Sequence, residues 1–208
     1  MDLPRLYAIV DAGCFPGSES MFHAAEELAA AGVTLLQYRN KAGNARQMLE
    51  QARELKRLVG GRAKLIMNDR ADLCLAADFD GLHVGQDDLS PEAARRIIGC
   101  DPQGRARWLG VSTHSPEQLA EADKTSADYL AIGPVFATSS KSNPDPVVGL
   151  DGVRRARSLT RKPLVAIGGI NRANARSVID AGADAVAVIS DLLPDLRKSA
   201  EEFLRILG

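Results

Sequence analysis

The sequence predicts a TIM-type (β/α)8 barrel formed as one domain over residues 1–208. Three observations carry this prediction. Eight short apolar or β-branched runs alternate with stretches of helical spacing, which implies a parallel sheet with helical crossovers. In 208 residues this leaves about 26 per strand–helix unit, near the lower size limit of the closed barrel. No G-x-G-x-x-G follows the first run, which argues against an open doubly wound sheet. No linker, low-complexity stretch or charge run divides the chain.

The strand runs are Leu6–Val10, Val33–Tyr38, Ala63–Met67, Gly81–Val84, Trp108–Val111, Tyr129–Ile132, Leu164–Ile167 and Ala185–Ile189. Between them, Ser18–Ala31 places Met21, Ala25, Leu28 and Ala29 on one helical face, and Arg46–Val59 does the same with Met48, Leu49, Ala52, Leu55 and Val59. Arg70–Ala77 reads as a shorter helix. Pro91–Ile98, Pro116–Ala122, Leu150–Leu159, Arg172–Ala181 and Asp195–Leu207 complete the set. Ser90-Pro91-Glu92 and Ser115-Pro116-Glu117 each supply a capping hydroxyl, a proline at the first helical position and an acid in the first turn. Gly32 and Gly182 stand where helices should stop before the next strand.

Composition narrows the function. With 26 basic against 27 acidic residues, the chain lacks the basic footprint of a general nucleic-acid binder, and 4% aromatic residues leave few base-stacking platforms. The longest apolar runs are strand-sized, so no membrane span is expected, and no basic-then-apolar leader precedes Leu6. A cytoplasmic protein acting on small molecules is the expectation. Three scattered cysteines, Cys14, Cys74 and Cys100, form no C-x-x-C pair and are expected to be buried or half-buried small residues. Barrel helices are amphipathic whether or not a second copy covers them, so a homo-oligomer is compatible with the sequence.

Active sites of this architecture form at the C-terminal ends of the strands. After the second strand comes Gln37-Tyr38-Arg39-Asn40-Lys41, where alternation points Gln37, Arg39 and Lys41 one way and Tyr38 and Asn40 the other. An amide and two cations at a barrel mouth suit a polyanion such as a pyrophosphate. Asn68-Asp69-Arg70 follows the third strand and Gly85-Gln86-Asp87-Asp88 the fourth. Asp69 with either Asp87 or Asp88 forms a carboxylate pair suited to Mg²⁺ completed by substrate phosphates, the remaining Asp capping the next helix.

Ser112 and His114 share a face after the fifth strand, but no third orienting acid makes them a nucleophile–base pair. His83, between Leu82 and Val84, is expected to be buried and hydrogen-bonded, and His23 to be at the surface. About 16 residues without periodicity, Gly133 to Val148, follow the sixth strand, the length of a lid or binding loop. Within it, Thr138 and Ser140 ahead of Lys141 fit a single phosphate or carboxylate. Gly168-Gly169 after the seventh strand and Ile189-Ser190 after the eighth fit the barrel's usual phosphate grip of backbone N–H groups. Two anion sites, one with metal and one without, imply a two-substrate reaction.

These segments, in order, resemble thiamine phosphate synthase over essentially the full chain. They are Leu6–Asp11, Gln37–Lys41, Asn68–Arg70, His83–Leu89, Gly110–His114, Gly133–Lys141, Ile167–Ile170 and Ile189-Ser190. The resemblance implies that Gln37, Arg39, Lys41, Asn68, Ser112 and Lys141 hold 4-amino-2-methyl-5-hydroxymethylpyrimidine diphosphate, and Tyr38 and Asn40 of the same segment are grouped with them as substrate-binding residues. It implies Asp69 and Asp88 as Mg²⁺ ligands, and Thr138, Ser139, Ser140, Gly169, Ile189 and Ser190 around a thiazole phosphate. Arg39, Lys41, Lys141 and Ser112 would be the catalytic set. Ser140 stands where the family often has threonine, which keeps the hydroxyl.

Two other readings are compatible with the outline. A thiazole tautomerase of a related barrel family would use His114 as acid–base and need neither diphosphate nor metal. A non-catalytic regulator that binds thiamine phosphates would need an interaction surface for its partner, and the sequence has no appended domain to supply one.

Overall fold

The computed structural model describes residues 3–138 and 145–208. Its strands are β1 (Leu6–Asp11), β2 (Leu35–Arg39), β3 (Lys64–Asn68), β4 (Gly81–Val84), β5 (Trp108–Thr113), β6 (Tyr129–Ile132), β7 (Leu164–Ile167) and β8 (Ala185–Val188). They close in sequence order into one parallel barrel, with Leu6 of β1 in register with Val186 of β8. Outside lie α1 (Ser18–Ala30), α2 (Ala45–Val59), α3 (Ala71–Ala76), α4 (Pro91–Ile98), α5 (Pro116–Asp123), α6 (Gly149–Leu159), α7 (Ala175–Asp180) and α8 (Leu196–Leu207).

Strands buried on both faces read as continuous apolar runs, and here the two faces form separate cores. One set, including Leu36, Leu65, Leu82, Leu109 and Leu130, packs outward against the helices. The other, including Tyr7, Leu35, Ile66, Tyr129 and Val165, fills the barrel interior. Glycine at position 110 makes room there: a Cβ would lie 2.1 Å from Cζ of the Tyr129 ring. That close approach lets a full-sized tyrosine cross the barrel.

The capping signals act as expected. Ser90 Oγ accepts from the Ala93 amide at 3.2 Å, and Ser115 Oγ from Gln118 at 3.3 Å. Asp87 and Asp88 are therefore not the cap of α4, a correction to the division of labour expected for them. The α7 helix starts at Ala175 rather than Arg172 because Asn171 Oδ1 accepts from the Ala173 and Asn174 amides, closing a turn first. Two single 3-10 turns, Ala12–Cys14 and Ser190–Leu192, are too short to leave a periodic signal.

The cysteine expectation holds only for Cys74, whose thiol is buried and pushed up to about 12 by that burial. Cys14 and Cys100 are exposed. No helix among the described residues is long and apolar enough to cross a membrane.

Candidate active site at the barrel mouth

A cavity of about 600 Å³ opens at the C-terminal ends of the strands. Its walls include Gln37, Arg39, Lys41, Asn68, Asp69, Asp88, Ser112, Thr138, Gly169, Ile189 and Ser190, brought together from seven strand ends. Ser139, Ser140 and Lys141 lie outside the described residues.

On the β1–β4 side the groups are charged. Arg39 forms an ion pair with Asp11, whose other carboxylate oxygen accepts from the Gly13 amide at 3.0 Å. Lys41 forms an ion pair with Asp69. Asp69 adopts φ 62°, a conformation that Asp tolerates better than most residues, and its amide donates to the His83 carbonyl at 2.8 Å. Burial holds the Asp69 carboxyl above the usual range; Lys41 pulls it down and the facing Asp88 carboxylate pushes it up. Asp88 is itself aimed by the Gly85 amide, which donates to Oδ2 at 2.8 Å.

Two facing carboxylates at adjacent strand ends offer hard oxygen ligands, one of them paired with Lys41. This donor set suits Mg²⁺, which takes one or two protein carboxylates and completes its shell with water and phosphate oxygens. No cluster of three or more His, Cys, Asp or Glu side chains occurs among the described residues. Asp87 lines the same cavity, and its side chain has no part in the Asp69–Asp88 contact.

On the β6–β8 side, glycines, hydroxyls and apolar side chains line the cavity together with Asp145, and backbone is presented. Gly169 has φ 64°, and a Cβ there would meet the Ala137 carbonyl oxygen at 2.5 Å, so only glycine fits. The loop after β6 stays close by: Phe136 N donates to Gly168 O at 2.9 Å, and Val148 N to Pro134 O at 2.9 Å. Its two described ends are thus tied to each other and to β7. Arg172 joins the β7 turn to the 3-10 turn after β8 through Asp191, with N and Nε donating to Oδ2 at 2.9 and 3.0 Å.

Tyr38 and Asn40 do not line the cavity, which corrects their grouping with Gln37, Arg39 and Lys41. Alternation turns them toward the helices, where Tyr38 OH donates to Gln51 Oε1 and Asn40 Nδ2 donates to the same oxygen at 3.0 Å. Asn40 Oδ1 accepts from the Ala42 and Gly43 amides, shaping the turn that carries Lys41. The imidazole beside Ser112 is His83, at 2.8 Å, and not His114. His114 Nδ1 lies 2.6 Å from the Gly133 carbonyl and 3.4 Å from Asp145. Burial lowers the His83 pKa to about 4.

Sequence reasoning missed Tyr7, which lines the cavity, and Asp11, Gln51 and Tyr129, which support residues around it. Gln51 carried a signal, a polar residue on the apolar stripe of α2; the other three end or occupy apolar runs.

Similarity to known proteins follows the same outline. A family model described as thiamine monophosphate synthase matches residues 6–192. The chain is 63% identical to a thiamine-phosphate synthase of Koribacter versatilis, covering 100% of this chain and 97% of that one. It is 46% identical to one of Chloroflexus aurantiacus, over 89% and 83% of the two chains. A solved thiamine phosphate pyrophosphorylase from Pyrococcus furiosus superposes with TM-score 0.81 at 37% identity, over 98% of this chain and 95% of that one.

Proposed function

The chain belongs to the thiamine monophosphate synthase family, and from that premise we propose how its barrel mouth makes thiamine phosphate. The enzyme is a transferase. Its electrophile is 4-amino-2-methyl-5-hydroxymethylpyrimidine diphosphate, held by Gln37, Arg39, Lys41, Asn68, Ser112 and Lys141. Its nucleophile is a thiazole ethyl phosphate held by Thr138, Ser139, Ser140, Gly169, Ile189 and Ser190. Asp69 and Asp88 would hold Mg²⁺, which when bound would neutralise charge on the diphosphate.

The reaction breaks the methylene C–O bond, and its electron pair leaves with pyrophosphate. The thiazole nitrogen lone pair then forms the C–N bond, giving the thiazolium product. No protein nucleophile is needed. Arg39, Lys41 and Lys141 offset the charge that gathers on the departing pyrophosphate, and Ser112 donates a hydrogen bond toward the same substrate. The two walls hold the substrates in one cavity, so the reacting atoms meet without a bimolecular encounter. A cytoplasmic enzyme handling small phosphorylated substrates fits this chemistry.

The observation that carries the reading is the division of one cavity into a wall with Arg39, Lys41, Asp69 and Asp88 and a wall where Thr138, Gly169 and Ser190 stand among apolar side chains, with Asp145 the carboxylate on that side. The test is pyrophosphate release from the pyrimidine diphosphate, with and without the thiazole phosphate, and again with EDTA. Release that needs both substrates and metal supports the proposal. Release without the thiazole, or unaffected by EDTA, counts against it.

A further inference from the structure

The barrel interior holds an unbroken chain of polar side chains ending at Ser112. Gln37 Nε2 donates to Tyr7 OH at 2.8 Å, and Tyr7 OH meets Tyr129 OH at 3.0 Å. Tyr129 OH lies 3.0 Å from His83 Nδ1, and His83 Nε2 lies 2.8 Å from Ser112 Oγ. Five strands contribute one residue each: β2, β1, β6, β4 and β5. Gln37, Tyr7, Tyr129 and His83 are buried, and Ser112 is half-buried at the cavity wall. The two tyrosine rings meet edge to face, 6.1 Å apart, and Tyr129 fits only because residue 110 is glycine.

Such a chain can run in only two directions, and one of them leaves a proton stranded. Gln37 fills an acceptor position on Tyr7 with its amide hydrogen, so the Tyr7 proton must go to Tyr129. The Tyr129 proton must then go to His83 Nδ1. A neutral imidazole carries one proton, so Nε2 bears it and donates to Ser112. The low pKa of His83 agrees with a neutral ring. With Gln37 Nε2 facing Tyr7, the reverse direction would leave the buried Tyr7 hydroxyl with no acceptor, at a cost of about 1–3 kcal/mol.

We propose that Gln37, Tyr7, Tyr129 and His83 are positioning residues which fix His83 as its Nε2–H tautomer and so leave the Ser112 hydroxyl proton aimed into the cavity. Ser112 Oγ accepts from inside the barrel, and its remaining proton is offered to an acceptor on the substrate. A diphosphate oxygen is such an acceptor; an ammonium group or a metal cation is not. The polar residues inside the barrel thereby set the direction of one hydrogen bond at the reacting centre. This rests on the reading above that Ser112 contacts the pyrimidine diphosphate.

Two measurements test the proposal separately. In ¹⁵N spectra of imidazole-labelled protein, three histidines appear, and His83 is assigned by its loss in His83→Gln. Protonation at Nε2 is expected; protonation at Nδ1 would mean that the Gln37 amide is turned over, the chain runs inward, and the proposal is wrong. In kinetics, Ser112→Ala is expected to lower kcat about a hundredfold, the scale for losing one preorganised donor. His83→Leu should lower kcat by a similar factor with little change in KM, and the double variant should fall no further. His83→Gln, whose amide N–H stands in for Nε2–H, should stay within about fivefold of the parent.

Additive losses in the double variant would show that His83 does not act through Ser112 and would overturn the proposal. Full activity in Ser112→Ala would instead sink the reading that Ser112 contacts substrate. Should His83→Leu fail to fold, the tautomer and the comparison of His83→Gln with Ser112→Ala still decide.

Discussion

Lys41, on the loop after β2, and Asp69, at the end of β3, form an ion pair across the rim of the barrel. The lysine side chain is 54% exposed and the carboxylate 18% exposed. A pair this open to water contributes roughly 0–1 kcal/mol, so an arriving polyanion can separate it cheaply. In the proposed reaction Lys41 would then serve the diphosphate while Asp69 turns to the cation.

This relationship makes Asp69→Asn an informative change. Asparagine tolerates the positive φ of this position, so the backbone is kept while the charge is removed. Pyrophosphate release is expected to fall at least about a hundredfold, above the 10–100-fold typical of indirect metal-site contacts. Thermal stability should be equal or slightly higher. The folded-state pKa of Asp69 is raised, so its ionised form opposes folding at neutral pH, and the amide relieves that opposition. Turnover within tenfold of the parent would remove Asp69 from the proposed cation site.

The buried imidazole of His83 predicts a pH-dependent stability of opposite sign. Its pKa falls from 6.5 to about 4 on folding, so between those values the unfolded chain binds the extra proton. Stability is therefore full above pH 6.5 and is lost as pH falls toward 4, by up to about 3 kcal/mol. Chemical denaturation of the parent and His83→Gln at pH 7 and pH 4.5 isolates this contribution, since other carboxylates are common to both. The parent should lose about 2–3 kcal/mol more than the variant. Equal losses would mean that His83 is not held neutral in the folded protein.

How far the site could be read in advance depended on which physical signal a residue carried. Strand positions were legible because strands buried on both faces are continuously apolar. Their polar ends were not: Asp11, Arg39, Asn68, Ser112 and Thr113 continue the strands past the last apolar residue. Of these, Arg39, Asn68 and Ser112 line the cavity. Alternation correctly separated Gln37, Arg39 and Lys41 from Tyr38 and Asn40, whereas grouping all five into one site ignored it. Pairings across the barrel, such as Arg39 with Asp11 or His83 with Ser112, depend on closure and register, which no local pattern encodes.

Gln51 shows what the outward-facing pair does instead. Its Oε1 accepts from both Tyr38 and Asn40, and its Nε2 donates to Ser18 Oγ at 2.8 Å. Gln51→Leu would leave the buried Tyr38 hydroxyl without its acceptor, costing about 1–3 kcal/mol. Because Asn40 shapes the turn carrying Lys41, KM for the pyrimidine diphosphate should rise about fivefold while KM for the thiazole phosphate stays constant. A stability loss with both KM values unchanged would confine Gln51 to packing.

Arg172 offers the matching test on the opposite wall. Sequence periodicity placed it in a helix, but it lies in the turn after β7, gripping Asp191 with backbone and side chain and reaching Glu202 Oε2 at 2.6 Å. It therefore braces the turn carrying Gly169 against the 3-10 turn that begins at Ser190, the two elements proposed to hold the thiazole phosphate. Arg172→Met keeps much of the aliphatic stem and removes the brace. The two turns can then separate, and backbone donors that must converge on one phosphate lose their alignment. KM for the thiazole phosphate should rise about tenfold, with KM for the pyrimidine diphosphate and its metal dependence unchanged. Steady-state kinetics with each substrate varied in turn separates the cases. If both KM values rose together, the two walls would not be independent binding sites, and the division of the cavity would need redrawing.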